Sequence, residues 1–325
     1  MRSSTMLDMK PNSLRRLFAL VAALALLLSV GVGIAYACSI PVFRYAMERW
    51  ELTHYDVVVF HRGPLPDGLR KQLDRLDAGT TRANLKIETI EIDGKMSPKR
   101  AAMWKKQGDP QLPWMVIRNP DTEDQVPAFY AGAPDIEKIR PWLDSPSRRA
   151  IIDRLVKGDS AVFVLLECGD TAKDNKAAEI LDTELQKLGK AIKLPELSTE
   201  GPQLKTDIPL KVAFSTIRVK RDDVKEEGMI RVLLATEEGL DQVKGPIAFP
   251  VFGRGRALCS LYEKDLNKTQ LANVTKFLCG ECSCQVKELN PGVDLLLTAD
   301  WPALLEAAGP SRVIPKDIPA PKRKK

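Results

Sequence analysis

The chain has 325 residues, of which 44% are hydrophobic and 28% charged, and a formal net charge of +6. This is the composition of a globular protein, and it excludes a collagenous, coiled-coil or wholly disordered chain. The presence of only two histidines argues against a histidine-rich metal site and against most histidine-based catalytic schemes. The length indicates about two domains.

The N-terminus, residues 1–37, has the pattern of an export signal or membrane anchor. A basic segment containing Arg15 and Arg16 precedes an uncharged apolar run over residues 17–37, which ends in Ala35-Tyr36-Ala37 directly before Cys38. A basic region, an apolar region and small residues at positions −3 and −1 are typical of a cleaved signal peptide. The run is also long enough to remain as a membrane anchor, and Cys38 is a candidate for lipidation. All three outcomes predict an exported protein of the cell envelope, membrane-anchored or periplasmic.

Export changes the charge argument. Residues 1–37 hold four basic residues and one acidic residue, so their removal lowers the net charge from +6 to +3. Part of that remainder lies in Lys322-Arg323-Lys324-Lys325, at the end of a stretch, residues 309–325, that we expect to be a disordered basic tail. Such a dilute excess does not indicate nucleic-acid binding. The expected partners are the membrane, through the N-terminal segment, and an unknown envelope protein.

Strand and helix signals then alternate in the order β-α-β-α-β-β-α. Asp56–Phe60 is a short apolar run that predicts a strand covered on both faces. Ser97-Pro98 predicts the start of a helix, with proline at its first position. The remaining predicted strands lie at residues 85–92, 114–117 and 126–130, and the helices at 69–76, 97–106 and 135–156, the last with a break over 141–146.

This order, with Pro113 directly before a strand, resembles the thioredoxin-like fold. The resemblance covers about residues 55–145, and it implies that Pro113 is the cis-proline that precedes the third strand and faces the active-site loop. It also implies a C-x-x-C pair in the loop after the first strand, where this chain has His61-Arg62-Gly63-Pro64. Without a thiol there, the domain, taken as residues 38–157, is expected to be redox-inactive.

A second unit begins near Gly158. Residues 161–166 are typical of a buried strand, and Glu167-Cys168-Gly169-Asp170 leads into a helix predicted over residues 173–190. Further strands are predicted at residues 210–219, 229–235, 245–252 and 257–262, and a helix at 268–278.

Two features refine this second half. Pro250 interrupts the strand at 245–252, so we expect an edge or a bulge there, and Gly253-Arg254-Gly255-Arg256 predicts a hairpin turn. The half repeats the β-loop-α opening and the proline-strand-strand-helix ending, so we interpret residues 158–308 as a second thioredoxin-like domain with an insertion around 196–225. Cys168 lies near the position of a redox cysteine but is single.

Three hypotheses remain open for the segment that contains Cys279, Cys282 and Cys284. In an oxidising compartment these cysteines favour a structural disulfide, with Cys168 and Cys259 as further partners. The C-x-x-C spacing also suits a redox-active pair, although it follows a helix rather than a strand. Three thiolates, with Cys259 as a fourth ligand, would suit Cu(I) or Zn. No other cofactor is expected.

The sequence therefore predicts an α/β protein with an N-terminal signal or anchor helix and two thioredoxin-like domains, similar to exported bacterial proteins. We expect a non-enzymatic binding or scaffold module of the envelope. The alternative is a thiol-disulfide oxidoreductase or a soft-metal-handling protein that uses the cysteine cluster.

Overall fold

In the computed structural model, which describes residues 38–76, 82–123, 125–282 and 285–315, the first sheet has four strands. These are β1 (Tyr55–His61), β2 (Leu85–Glu91), β3 (Trp114–Arg118) and β4 (Tyr130–Gly132). Their order is β2-β1-β3-β4, with β1 and β2 parallel and the other two pairs antiparallel. Both faces of β1 are covered, as predicted, because Val57 and Val59 enter one hydrophobic cluster and Val58 and Phe60 another.

Helices precede and connect these strands. They are α1 (Val42–Arg49), α2 (Asp67–Leu76), α3 (Pro98–Lys105), α4 (Ile136–Ile139) and α5 (Pro146–Val156). The predicted start of α3 is confirmed, since the Ser97 hydroxyl accepts the backbone N–H of Arg100. Ser145 caps α5 in the same way, through the N–H of Arg148. In each case a side-chain oxygen satisfies one of the amides that a helix leaves unpaired at its start.

The second sheet repeats the arrangement of the first. It contains β5 (Ala161–Glu167), β6 (Phe214–Lys220), β7 (Ile247–Phe252), β8 (Arg256–Ala257), β9 (Leu261–Tyr262) and β10 (Val293–Asp294). The order is β10-β8-β7-β5-β6, and β9 also pairs with β7. The parallel pair β5–β6 and the antiparallel pair β5–β7 match β1–β2 and β1–β3 of the first sheet. The helices of this half are α6 (Thr171–Ala191), α7 (Glu227–Leu234), α8 (Lys268–Cys279) and α9 (Trp301–Ala307).

Packing contacts cross the boundary between the two predicted domains, 38–157 and 158–308, and this division stays a prediction. Residues from Cys38 onward form one compact unit, and a single hydrophobic cluster contains Val57 of β1 as well as Val164 of β5. Helix α1 precedes the first sheet but packs against β7 and α8, while α5 packs against β5 and β6. These helices follow the apolar surface that they cover rather than their position in the sequence.

A polar seam also joins the two halves. The side chain of Asn84, before β2, donates to the carbonyls of Thr53 and Leu295 and accepts the N–H of Leu297. The Asp294 carboxylate forms ion pairs with Arg256 and Lys287 and accepts the N–H of Thr53. Because both side chains are buried, their hydrogen bonds compensate for the loss of water.

Three predicted strands differ in the structure. Of residues 126–130, only Tyr130 is in a strand, at the start of β4. Residues 229–235, predicted as a strand, lie mostly in α7. The start of this helix packs closely on Trp142: a Cβ on Gly228 would lie 2.2 Å from the Trp142 carbonyl oxygen. Strand β7 is internal, so the expected edge at Pro250 is wrong. The alternative, a bulge, is supported, because the register slips by one residue there, between the pairings of β7 with β9 and with β8. The turn between β7 and β8 is present as predicted.

The start of the predicted disordered tail is also structured. Thr206 pairs with Pro310, and Arg312 forms an ion pair with Asp207. Residues 316–325 lie outside the described range, as does the predicted leader at 1–37. Among the described helices, none has both the length and the apolar character needed to cross a bilayer.

Candidate functional site

The loop after β1 carries charged side chains in place of thiols. The Nδ1 atom of His61 lies 2.7 Å from the carbonyl oxygen of Gly63 and 3.6 Å from the Glu91 carboxylate. Arg62 donates from Nε to Asp93 at 2.8 Å, which raises the pKa of the guanidinium. Exposed ion pairs of this kind contribute little to stability.

Pro113 lies at the same end of the sheet as this loop. Phe60 pairs with Trp114, which places His61 and Pro113 at neighbouring strand ends. The Leu112–Pro113 peptide bond is cis. The geometry that the thioredoxin resemblance implies for Pro113 is therefore present beside a loop without cysteine.

The loop after β5 is organised by a buried carboxylate. Asp174, on the first turn of α6, accepts the backbone N–H groups of Cys168 and Gly169 at 2.8 and 3.0 Å. Gly169 has a φ of +89°, a conformation that glycine adopts without steric cost. Asp170 caps α6 by accepting the N–H groups of Ala172 and Lys173. Four backbone donors at the start of one helix are thus satisfied by two carboxylates, as the helix dipole favours.

Cys168 lines a cleft of about 670 Å³ at the carboxyl ends of β5 and β6. Across the cleft lie the side chains of Arg218, Lys220 and Arg221. Arg218 is committed to Glu167 and to the Asn175 side chain, at 2.9 Å from the latter. Arg221 donates to the carbonyl oxygens of Val243 and Gly245. Glu167, Asp174 and Asp222 line the same cleft, so one thiol lies among side chains of both charges. The cleft is the second-half counterpart of the His61 loop.

The cysteine segment begins at the end of α8. Cys279 is buried, and its thiol is hydrogen-bonded to the Ser160 side chain; burial nevertheless raises the thiol pKa to about 12. Burial also raises the pKa of Cys259 to about 12. Thiols with such pKa values are protonated at neutral pH and react slowly.

Cys282 is buried beside Cys38, 244 positions earlier in the chain. The two thiols are hydrogen-bonded, and this contact is the main cause that lowers the pKa of Cys38 to about 7. Sequence patterns did not reveal the contact, because no local periodicity connects residues so far apart. The role of Asp174 was missed as well, although an Asp following Asp170 by four positions was a visible signal for a double cap.

The structure tests the metal hypothesis only in part. Within the described residues, no three His, Cys, Asp or Glu side chains form a group suited to a metal ion. Cys284 lies outside these residues, so the full set of Cys259, Cys279, Cys282 and Cys284 stays a prediction. The structure has the five cysteines within the described ranges in the reduced form, so the disulfide hypothesis stays a prediction. Lipidation of Cys38 also stays a prediction.

Comparison with known proteins found no match, either among models of protein families or among curated protein sequences.

Proposed function

We propose that this chain is an exported, non-enzymatic binding or scaffold module of the cell envelope, built on two thioredoxin-like halves that lack a redox pair of cysteines. The thioredoxin-like assignment is supported by the shared strand order and directions of the two sheets. The cis bond before Pro113 supports it for the first half.

One observation carries the proposal. In both halves the loop after the first strand lacks two thiols that could exchange electrons with a substrate disulfide. The first loop presents His61 and Arg62, which are held by Glu91 and Asp93. The second presents Cys168, and the residue three positions later, where the motif would place the second cysteine, is Thr171. Reduction of a substrate disulfide begins with a mixed disulfide between the protein and the substrate. A second protein thiol must then attack this mixed disulfide to release the reduced substrate.

The structure instead offers places for binding. The cleft beside Cys168 opens at the carboxyl ends of two parallel strands, where ligands commonly bind in open α/β sheets. Its lining holds three basic and three acidic residues, which suits a polar or charged group of a partner. This support is a matter of location and charge, and the partner itself is to be found by experiment.

The test is catalytic insulin reduction by the full-length chain, exported and purified from a bacterial host. We expect a rate no higher than that of buffer with reductant, and the same rate for Cys168→Ser. Catalytic turnover that Cys168→Ser or Cys282→Ser abolishes would overturn the proposal. A cysteine-free thioredoxin serves as the inactive control and the native thioredoxin as the active one.

A second candidate, soft-metal handling, is favoured by the buried contact between the Cys38 and Cys282 thiols. A thiol whose pKa is about 7 is substantially ionised at neutral pH, and thiolates are the ligands that Cu(I) and Zn prefer. Metal analysis of the purified chain decides between the two. We expect a substoichiometric content; one Cu or Zn per chain that is lost in Cys282→Ser would establish the second candidate instead.

A further inference from the structure

The segment directly after the predicted leader is attached to the end of α8. The N–H of Cys282 donates to the carbonyl of Ile40 at 3.0 Å, and the N–H of Val42 donates to the carbonyl of Gly280 at 3.0 Å. Pro41 and Glu281 form an antiparallel bridge between the same two segments. In this register Cys282 lies opposite Ile40, so Cys38 and Cys282 are diagonal neighbours across two segments at the spacing of adjacent strands.

The side chains of Cys38 and Cys282 lie on the inner side of this pairing. They are 2% and 1% exposed and belong to the same hydrophobic cluster, and their thiols are hydrogen-bonded. We propose that Cys38 and Cys282 form a structural disulfide that fixes the first residues after the predicted leader to the C-terminal half. This inference goes beyond the proposed function and does not rest on it.

The surrounding structure holds both cysteines in place. Residues 42–48 of α1 are all buried. The guanidinium of Arg44 donates to the carbonyl of Thr206 at 2.7 Å, and the Glu48 carboxylate accepts the N–H groups of Lys205 and Thr206. A disulfide between segments that already pair adds a covalent constraint to contacts that the fold makes without it.

Cys279 and Cys259 are less suited to pairing. Cys279 directs its thiol to Ser160, and Cys259 is buried with a raised pKa. Cys38 and Cys282, in contrast, lie on segments that are joined by backbone hydrogen bonds, and their thiols contact each other. The thiolate is the attacking species in disulfide exchange, so the reaction starts once one of these two thiols has lost its proton.

The oxidant we assign is an external disulfide donor, such as a disulfide-bearing protein or oxidised glutathione. The Cys38 thiolate attacks one donor sulfur, which forms a mixed disulfide and releases the first donor thiolate. The Cys282 thiol loses its proton, and its sulfur then attacks the Cys38 sulfur and releases the second donor thiolate. The two protein thiols lose two electrons and two protons in total, and one donor disulfide is reduced to two thiols.

A disulfide and a lipid exclude each other at Cys38. In a lipidated cysteine the sulfur is bonded to its own Cβ and to a carbon of the diacylglycerol. With both bonds taken, it cannot form a disulfide. The proposal therefore predicts that the exported chain is not lipidated at Cys38.

The test is a peptide map of the full-length chain after export, alkylated without reductant. Trypsin releases a fragment ending at Arg44 that contains Cys38, and a fragment over residues 277–287 that contains the cysteine segment. Cleavage after Glu281 then separates Cys279 from Cys282. We expect the Cys38 fragment to be linked to the fragment that starts at Cys282, with fragmentation placing the link on Cys282. The link should persist in Cys284→Ser and Cys279→Ser.

A second measurement tests the structural role. Reduction should lower the thermal midpoint of the wild-type chain by about 4–10 °C. It should leave the midpoint of Cys38→Ser, which is already lowered, unchanged. The proposal is overturned by a link from Cys38 to Cys284 or Cys279, by an alkylated or lipidated Cys38, or by a linked chain whose midpoint does not respond to reduction. None of these outcomes depends on the insulin assay, so the two proposals fail separately.

Discussion

The loops that follow β1 and β5 occupy the same place in two sheets of the same strand order, yet they are built differently. The first is held by exposed ion pairs, since the Arg62 and Asp93 side chains are 63% and 61% exposed. The second is held by Asp174, which is buried and bonded to two backbone amides. Sheet topology thus fixes where a loop lies, whereas the side chains around it decide how firmly it is held and what chemistry it offers.

We expect the largest loss of stability from a substitution in the polar seam, because the seam joins the two sheets that carry the loops. Asp294→Ala leaves the buried Arg256 and the half-buried Lys287 without their carboxylate. We expect a loss of about 3–5 kcal/mol in the free energy of unfolding, since an uncompensated buried charge is costly. Urea unfolding followed by circular dichroism measures it.

The exposed neighbour Glu288→Ala is the matched control and should leave stability within about 0.5 kcal/mol of the wild type. The transition should stay single in both variants, because the halves share one core. Two separate transitions in the wild-type chain would show that the halves are independent domains.

The second loop should respond next most strongly. Asp174→Ala removes the acceptor of the Cys168 and Gly169 amides, and we expect a loss of about 2–3 kcal/mol. Hydrogen exchange at these two amides should accelerate at the same time. Asp182→Ala, an exposed position on the same helix, controls for loss of charge; an equal loss in both variants would show that the capping bonds are unimportant.

The first loop should respond least. Arg62→Ala removes an ion pair whose partners are both in contact with water, so we expect no measurable change in the thermal midpoint. The measurement is made at low and at high salt. A large loss at low salt that disappears at high salt would mean that the two loops are held with similar strength, and the contrast drawn between them would be lost.

Much of this architecture could be predicted from local patterns. The apolar runs around Val58 and Val164 predicted the two central strands, and Ser97 predicted the start of α3. Each of these signals lies within one turn or one strand, where propensity and burial act together. The turn after β7 was predicted for the same reason, from its two glycines.

Other features depend on contacts that local patterns do not contain. Residues 229–235 combine β-branched and long apolar side chains, so the run itself favours neither structure strongly. The helix is selected by its neighbours: the Trp142 indole donates to Glu227 at 3.0 Å, and the Arg231 guanidinium lies 4.5 Å from the indole ring centre. The contact of Cys38 with Cys282 could not be predicted either, because it depends on how two distant segments pair.

The packing of α1 has a consequence for biosynthesis. This helix is among the first described segments to leave the ribosome, whereas its docking surface on β7 and α8 is made about 200 residues later. A nascent chain must therefore keep this amphipathic segment without its partner until nearly the whole polypeptide has been made. The fold can therefore be completed only after the C-terminal segment has been made. A chain truncated before residue 280 would lack the segment that pairs with residues 40–42.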